Sequence, residues 1–153
     1  MLTIYVDADA CPVKDEVYRV ARRHEMRVMV VANTLMRVPN ATLVELVVCS
    51  GFGEVDDWIA ERVGAGDIVI TSDIPLAARC LAREARVLGP KGSPFTDNDI
   101  GSALANRSLL DELRQGGIVT GGPAPMTAKD RSRFLSKLDE MIHAARRAFP
   151  SVE

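Results

Sequence analysis

Short runs of aliphatic and β-branched residues alternate along this chain with segments whose apolar residues recur at helical spacing, and few architectures accommodate that alternation. Residues 2–6, 27–32, 43–49 and 67–71 read as buried strands, with residues 86–88 as a weaker fifth. Between the first two, Pro12 stands at a first helical position and Val13, Val17, Val20 and Ala21 follow at helical spacing. Val55, Ile59 and Val63 mark a second helix, which Gly64 and Gly66 terminate. Pro75 opens a third helix, a fourth is expected at about 97–114, and a last one at about 128–148 with Phe134, Leu135, Leu138 and Ile142 on its apolar face. Residues 33–42, broken by Pro39 and Asn40, and the segments 89–94 and 120–125 read as loops.

Parallel neighbours need crossover connections, so strands interleaved with helices imply an α/β fold: a mostly parallel, about five-stranded sheet in three layers. At 153 residues the chain is long enough for one buried core and short for two, so residues 1–153 are expected to form a single domain. Aromatic residues are only 5%, which makes that core aliphatic. Cys11, Cys49 and Cys80 are too few and too scattered for a disulfide framework or a structural zinc site. With no long apolar run near the start, neither a signal peptide nor a membrane span is expected, and the cytosol is the expected compartment.

In open parallel sheets, ligands sit beyond the carboxyl ends of the strands. Acids gather at just those places. Asp7 and Asp9 follow the first strand, Asp56 and Asp57 start the helix after the third, and Asp73 follows the fourth. Carboxylates brought together must take up protons or find a cation, and all-oxygen ligands suit Mg²⁺ or Mn²⁺. Capping accounts for Asp57 taken alone, and competes for Asp56 and Asp73. Thr71 and Ser72 offer hydroxyls to a phosphate or to water, and Asn33 and Thr34 reach the same edge; closing a strand or a turn is the plain alternative for each. Cys11 lies at a helix start beside two acids and lacks a histidine partner, so it reads as packing; His24 and His143 read as surface residues.

The run Ile4-Tyr5-Val6-Asp7-Ala8-Asp9-Ala10-Cys11-Pro12-Val13-Lys14 resembles the opening of the YaiI/YqxD family of uncharacterised bacterial proteins. The resemblance continues through Asn33-Thr34-Leu35-Met36-Arg37-Val38-Pro39, through residues 66–77 and through Thr120-Gly121-Gly122-Pro123, and covers nearly the whole chain. That family is grouped with PIN-like domains, whose better known members are metal-dependent ribonucleases. The resemblance therefore implies a PIN-like fold and phosphodiester hydrolysis, RNA favoured, with Mg²⁺ or Mn²⁺ held by Asp7, Asp56 and Asp73. Asp9 is a further ligand or orients water, and Asp97 or Asp99 supplies a fourth acid. Arg37 and Lys91 would hold substrate phosphates.

Two other readings start from the same residues. A strand ending in Asp-x-Asp also opens haloacid dehalogenase-like phosphatases, with Asp7 as nucleophile and Asp9 as general acid, though the Gly-Thr turn usual after the second acid is missing. A regulatory domain that binds metal or RNA without cutting is the non-enzymatic rival. Basic residues offer little to decide the matter: residues 127–153 hold 6 Lys+Arg against 4 Asp+Glu, and residues 1–126 hold 13 against 17.

Overall fold

The structure, a computed structural model, describes residues 2–98, 100–101 and 125–150. Five strands are parallel: β1 (Thr3–Asp7), β2 (Arg27–Ala32), β3 (Val44–Val48), β4 (Ile68–Ile70) and β5 (Arg86–Leu88). A sixth, β6 (Pro94–Phe95), pairs antiparallel with β5, so the sheet has the order β3-β2-β1-β4-β5-β6. The expected loop at 89–94 thus ends in a strand. Pro94 has no N–H to offer a further neighbour, and it lies on the outermost strand, where none is needed.

Strand order explains the layering. From β1 the chain steps outward to β2 and β3, then crosses back over β1 to reach β4 and β5. Right-handed crossovers made in opposite directions place their helices on opposite faces. Accordingly α1 (Lys14–His24) and α4 (Ala128–Ala148) cover one face, packing Val13, Val17, Val20, Phe134, Leu138 and Ile142 on Ile4, Val6, Val28, Val30, Ile68 and Ile70. On the other face α2 (Glu54–Arg62) and α3 (Ile74–Ala82) place Val55, Ile59, Leu76 and Ala77 against Tyr5, Met29, Val31, Val69 and Val87. β1 and β4 are buried on both sides, which is why their sequences are continuous apolar runs rather than alternating ones. Each fully buried Leu, Ile or Phe contributes roughly 1.5–3 kcal/mol, so the packing of α4 alone outweighs any ion pair along it.

Helix ends follow local chemistry. Asp73 accepts a hydrogen bond from the Leu76 amide at the start of α3, with Pro75 in the first turn, and Thr127 and Asp130 form a reciprocal capping box at the start of α4. α1 ends with Arg22, Arg23 and His24 before Glu25 turns left-handed. Asp97 and Asn98 have helical backbone after β6; the rest of the helix expected at 97–114 is outside the described residues beyond position 101, as are Asp99 and the loop expected at 120–125 except for Pro125. Among the described residues, no helix is long and apolar enough to cross a membrane.

The turn after β5 is fitted closely to α4. Gly92 has φ +86°, and a methyl group there would meet the backbone of Arg133 and Phe134 at 2.8 Å. Backbone cannot yield as a side-chain tip can, and an L-residue is strained at that φ. Gly92→Ala is therefore expected to lower the unfolding free energy by about 1–3 kcal/mol in urea titrations, with an unchanged m-value.

Candidate functional site

Where the strand order reverses, between β1 and β4, the carboxyl ends of two neighbouring strands diverge into helices on different faces and leave a crevice. Register determines what stands there. Val6 pairs with Ile70, so the next residues, Asp7 and Thr71, are side by side. The Thr71 hydroxyl donates to Asp7 Oδ2 at 2.8 Å and accepts from the Asp73 amide at 3.0 Å. A single buried hydroxyl thus joins the end of β1 to the entry of α3. Asp73 in turn accepts from Leu76 N at 2.8 Å through Oδ1. Capping, the plain alternative for Asp73, is thereby present, and it fixes the side chain at the crevice instead of removing it.

Asp56 reaches the same place from the first turn of α2. Its pKa is raised to about 6, first by burial and then by the charges of Asp73 and Asp7. Asp7 is likewise raised, first by burial, with Asp73 and Asp9 adding to it while the Thr71 hydrogen bond opposes. The charge of Asp73 thus bears on both Asp7 and Asp56, and that of Asp7 on Asp56, so the three share one electrostatic neighbourhood. Asp9 is engaged differently. Both its oxygens accept from the Asn33 amide, at 3.1 and 3.0 Å, tying the turn after β1 to the end of β2. Asn33 takes part there through its backbone. Asp57, expected as a cap, makes no cap bond; it projects from the first turn of α2 toward α3 and pairs with Arg79 at 2.8 Å.

Ser72 is exposed at the same edge. Arg37 is exposed between Met36 and Val38, whose side chains pack inward on the α1 and α4 face. Lys91 lies in the turn after β5, near enough to Asp130 for its charge to lower that carboxyl's pKa, after the hydrogen bonds from Thr127. β6 runs antiparallel, so beyond Phe95 the chain heads away from the edge that carries Asp7, and Asp97 is exposed there.

Thiol chemistry has no foothold. Burial raises the pKa of Cys11, and that of Cys80 to about 12, so neither supplies a thiolate near neutral pH. The two histidines, both expected at the surface, differ: His143 is exposed, whereas His24 is largely covered and hydrogen-bonded to Asp139. Asp67, which sequence reasoning does not single out, is buried at the opposite edge and accepts from Thr3 N and Gly64 N, both at 2.9 Å. An acid at a strand start carries no signal that separates such a structural clasp from a solvated residue.

Fold and crevice define a three-layer α/β protein with a carboxylate-lined switch point. The chain belongs to the Uncharacterized BCR, YaiI/YqxD family, whose model matches residues 5–144. It is 54% identical over 149 residues to a UPF0178 protein of Rhodopseudomonas palustris (strain HaA2), covering 97% of this chain and 91% of that one. To a UPF0178 protein of Rhodospirillum centenum it is 55% identical over 152 residues, covering 96% and 99%, and to one of Nitrobacter winogradskyi 54% over 148, covering 96% and 94%. No solved structure matches the chain.

The raised pKa of Asp56 links stability to pH. A carboxyl whose folded pKa, about 6, exceeds its ordinary 3.8 binds its proton more tightly when folded. It therefore favours folding fully below the unfolded value and loses that contribution as pH rises through about 6. In chelator, Asp56→Asn is expected to be more stable than the parent chain at neutral pH, with the difference shrinking toward pH ~4; urea titrations across that range measure it.

Proposed function

We propose that this chain is a divalent-metal-dependent phosphodiesterase of the PIN-like type, acting on nucleic acid with RNA favoured. The observation that carries this reading is the placement of Asp7, Asp56 and Asp73, from β1, α2 and the entry to α3, about one switch point, where the charge of Asp73 raises the proton affinity of Asp7 and the charges of both raise that of Asp56. Charge concentrated in this way costs stability, and a cation relieves it. The donors are carboxylate oxygens with a threonine hydroxyl beside them, a set suited to Mg²⁺ or Mn²⁺ rather than to a thiophilic ion. Asp7, Asp56 and Asp73 would hold the ion. When bound, it supplies Lewis acidity toward a phosphoryl oxygen and makes water a better nucleophile.

The protein's own groups do the positioning. Thr71 fixes the rotamer of Asp7 and the α3 amide fixes Asp73, so two of the three acids are held before any ligand arrives. Amides at the start of α3 place the positive end of a helix dipole beside the crevice, which favours an anionic substrate. Arg37 and Lys91 would take up more distant phosphates, Arg37 with a planar fork and Lys91 as a point charge. A phosphatase using Asp7 and Asp9 is less well supported, because the Asn33 amide already anchors both Asp9 oxygens. A binding domain without turnover would use the same three acids.

Cleavage of labelled single- and double-stranded RNA and DNA, with Mn²⁺ or Mg²⁺ and then with chelator, tests the proposal. Metal-dependent cutting is expected, reduced by about 100-fold or more in Asp7→Asn and in Asp73→Asn. Cutting that survives both substitutions overturns the site. Mn²⁺ binding that both substitutions abolish, with no substrate cut, replaces the nuclease with the binding domain.

A further inference from the structure

We propose that His24, Asp139 and His143 form a second metal site, for a zinc-class ion, on the α1–α4 face and independent of the aspartates at the switch point. Among the described residues, these are the three whose ligand atoms converge: one atom from each lies within 4.8 Å of the other two. His24 Nε2 is 2.5 Å from Asp139 Oδ1, His143 Nε2 is 3.6 Å from Asp139 Oδ2, and the two imidazoles meet edge to face with centroids 4.9 Å apart.

The elements explain the convergence. Asp139 and His143 are four residues apart on α4, about one helical turn, and so project from the same face. His24 is the last residue of α1, which packs along α4, and its ring is brought over that turn. Position is secured at both ends of the helix pair: Arg131 donates to Pro12 O and to Glu16 Oε1, and Arg146 donates to His24 O. Because carboxylate accepts only, His24 Nε2 is the donor in the short contact, and a metal ion would take the place of that proton.

Chemistry selects the ion class. Two imidazoles and one carboxylate form a borderline donor set that suits Zn²⁺, with Co²⁺ as its spectroscopic substitute, and three protein ligands leave a position for water. Ligand atoms around a tetrahedral ion with bonds of about 2.0 Å stand roughly 3.3 Å apart, so the three need only small side-chain rotations. The end of α1 contributes the negative pole of its dipole. Arg23, whose Nη1 is 3.8 Å from Asp139 Oδ1, is the competing cation, and its largely exposed side chain is free to swing away. The site also stands apart from the aspartates: His24 precedes the start of β2 whereas Asp7 is the last residue of the parallel β1, and strands of this length span roughly 16–20 Å.

The full chain, stripped with chelator, is titrated with Zn²⁺ by calorimetry and with Co²⁺ by visible absorption, alongside His143→Gln, Asp139→Asn and a double variant, Asp7→Asn with Asp73→Asn. His143 is exposed, so its replacement leaves the metal-free fold intact, which circular dichroism verifies. One Zn²⁺ is expected to bind the parent and the double variant alike and to raise Tm in both. Affinity should drop by at least about tenfold in His143→Gln, the loss that even an outer partner of a ligand brings, and more in Asp139→Asn. Tetrahedral Co²⁺ bands without thiolate charge transfer are expected in parent and double variant. Zn²⁺ binding unchanged in both His143→Gln and Asp139→Asn, or absent from the double variant, or absent altogether, overturns the site. Nuclease assays on the same proteins report on the switch point separately, since failure there leaves these outcomes untouched.

Discussion

The pairing of β1 with β4 is the contact on which both halves of this chain depend. It joins a β1-α1-β2 unit to a β4-α3-β5 unit that runs the other way across the sheet, and it gathers the apolar residues of both faces around two strands that are buried except at Asp7. Asp7 and Thr71 are the first residues beyond that pairing. There β1 and β4 no longer pair with each other, and the Thr71 hydroxyl instead links them, donating to the Asp7 carboxylate and accepting from the Asp73 amide. Core and candidate site are thus one continuous object: a register slip between β1 and β4 would turn buried faces outward and separate the acids together.

That continuity explains how much was legible in the sequence alone. Runs such as residues 67–71 and 27–32 are largely apolar throughout, which marks a strand covered on both faces, and an Asp or Thr at the end of such a run must stand at the sheet edge. Alternation then forces parallel pairing, and parallel pairing puts all those ends on one side. β6 was not legible because two residues containing a proline carry no periodicity; only the completed edge of β5 makes a strand of them. The same holds for single side chains. Asp57 and Asp56 are adjacent acids in one helical turn, yet their neighbours, Arg79 for one and Asp7 with Asp73 for the other, come from elsewhere in the chain and assign them opposite roles.

Electrostatics at the crevice runs against stability. Asp56 is surrounded by charge of its own sign, and among the described residues only Arg79, already paired with Asp57, works in its favour. A neutral residue at position 56 would serve the fold better, since a partly buried carboxyl among carboxyls is held at a cost. By contrast, Asp67 and Asp130 lie where backbone amides point at them, and the pKa of Asp130 is lowered, so those acids strengthen the fold. These relations sort the aspartates: Asp67, Asp73 and Asp130 accept from backbone amides, whereas Asp56 is set among like charges, where a bound cation would relieve the repulsion.

The two proposed sites follow from the same sorting applied to donor chemistry. At the carboxyl edge the side-chain donors that meet the three acids are oxygens, and the thiols of Cys11 and Cys80 are buried with raised pKa values, so soft or borderline ions find little to prefer there. At the far end of α1 the donors include two imidazole nitrogens, which hard ions disfavour and zinc-class ions seek. The sheet separates the two by the length of its strands. Their different demands mean that neither ion need compete with the other, and the α1–α4 site can brace the helix layer over β1 without altering the charge at the switch point. Selectivity between two metals would in this way be achieved by topology, which delivers oxygen donors to one edge and nitrogen donors to the other.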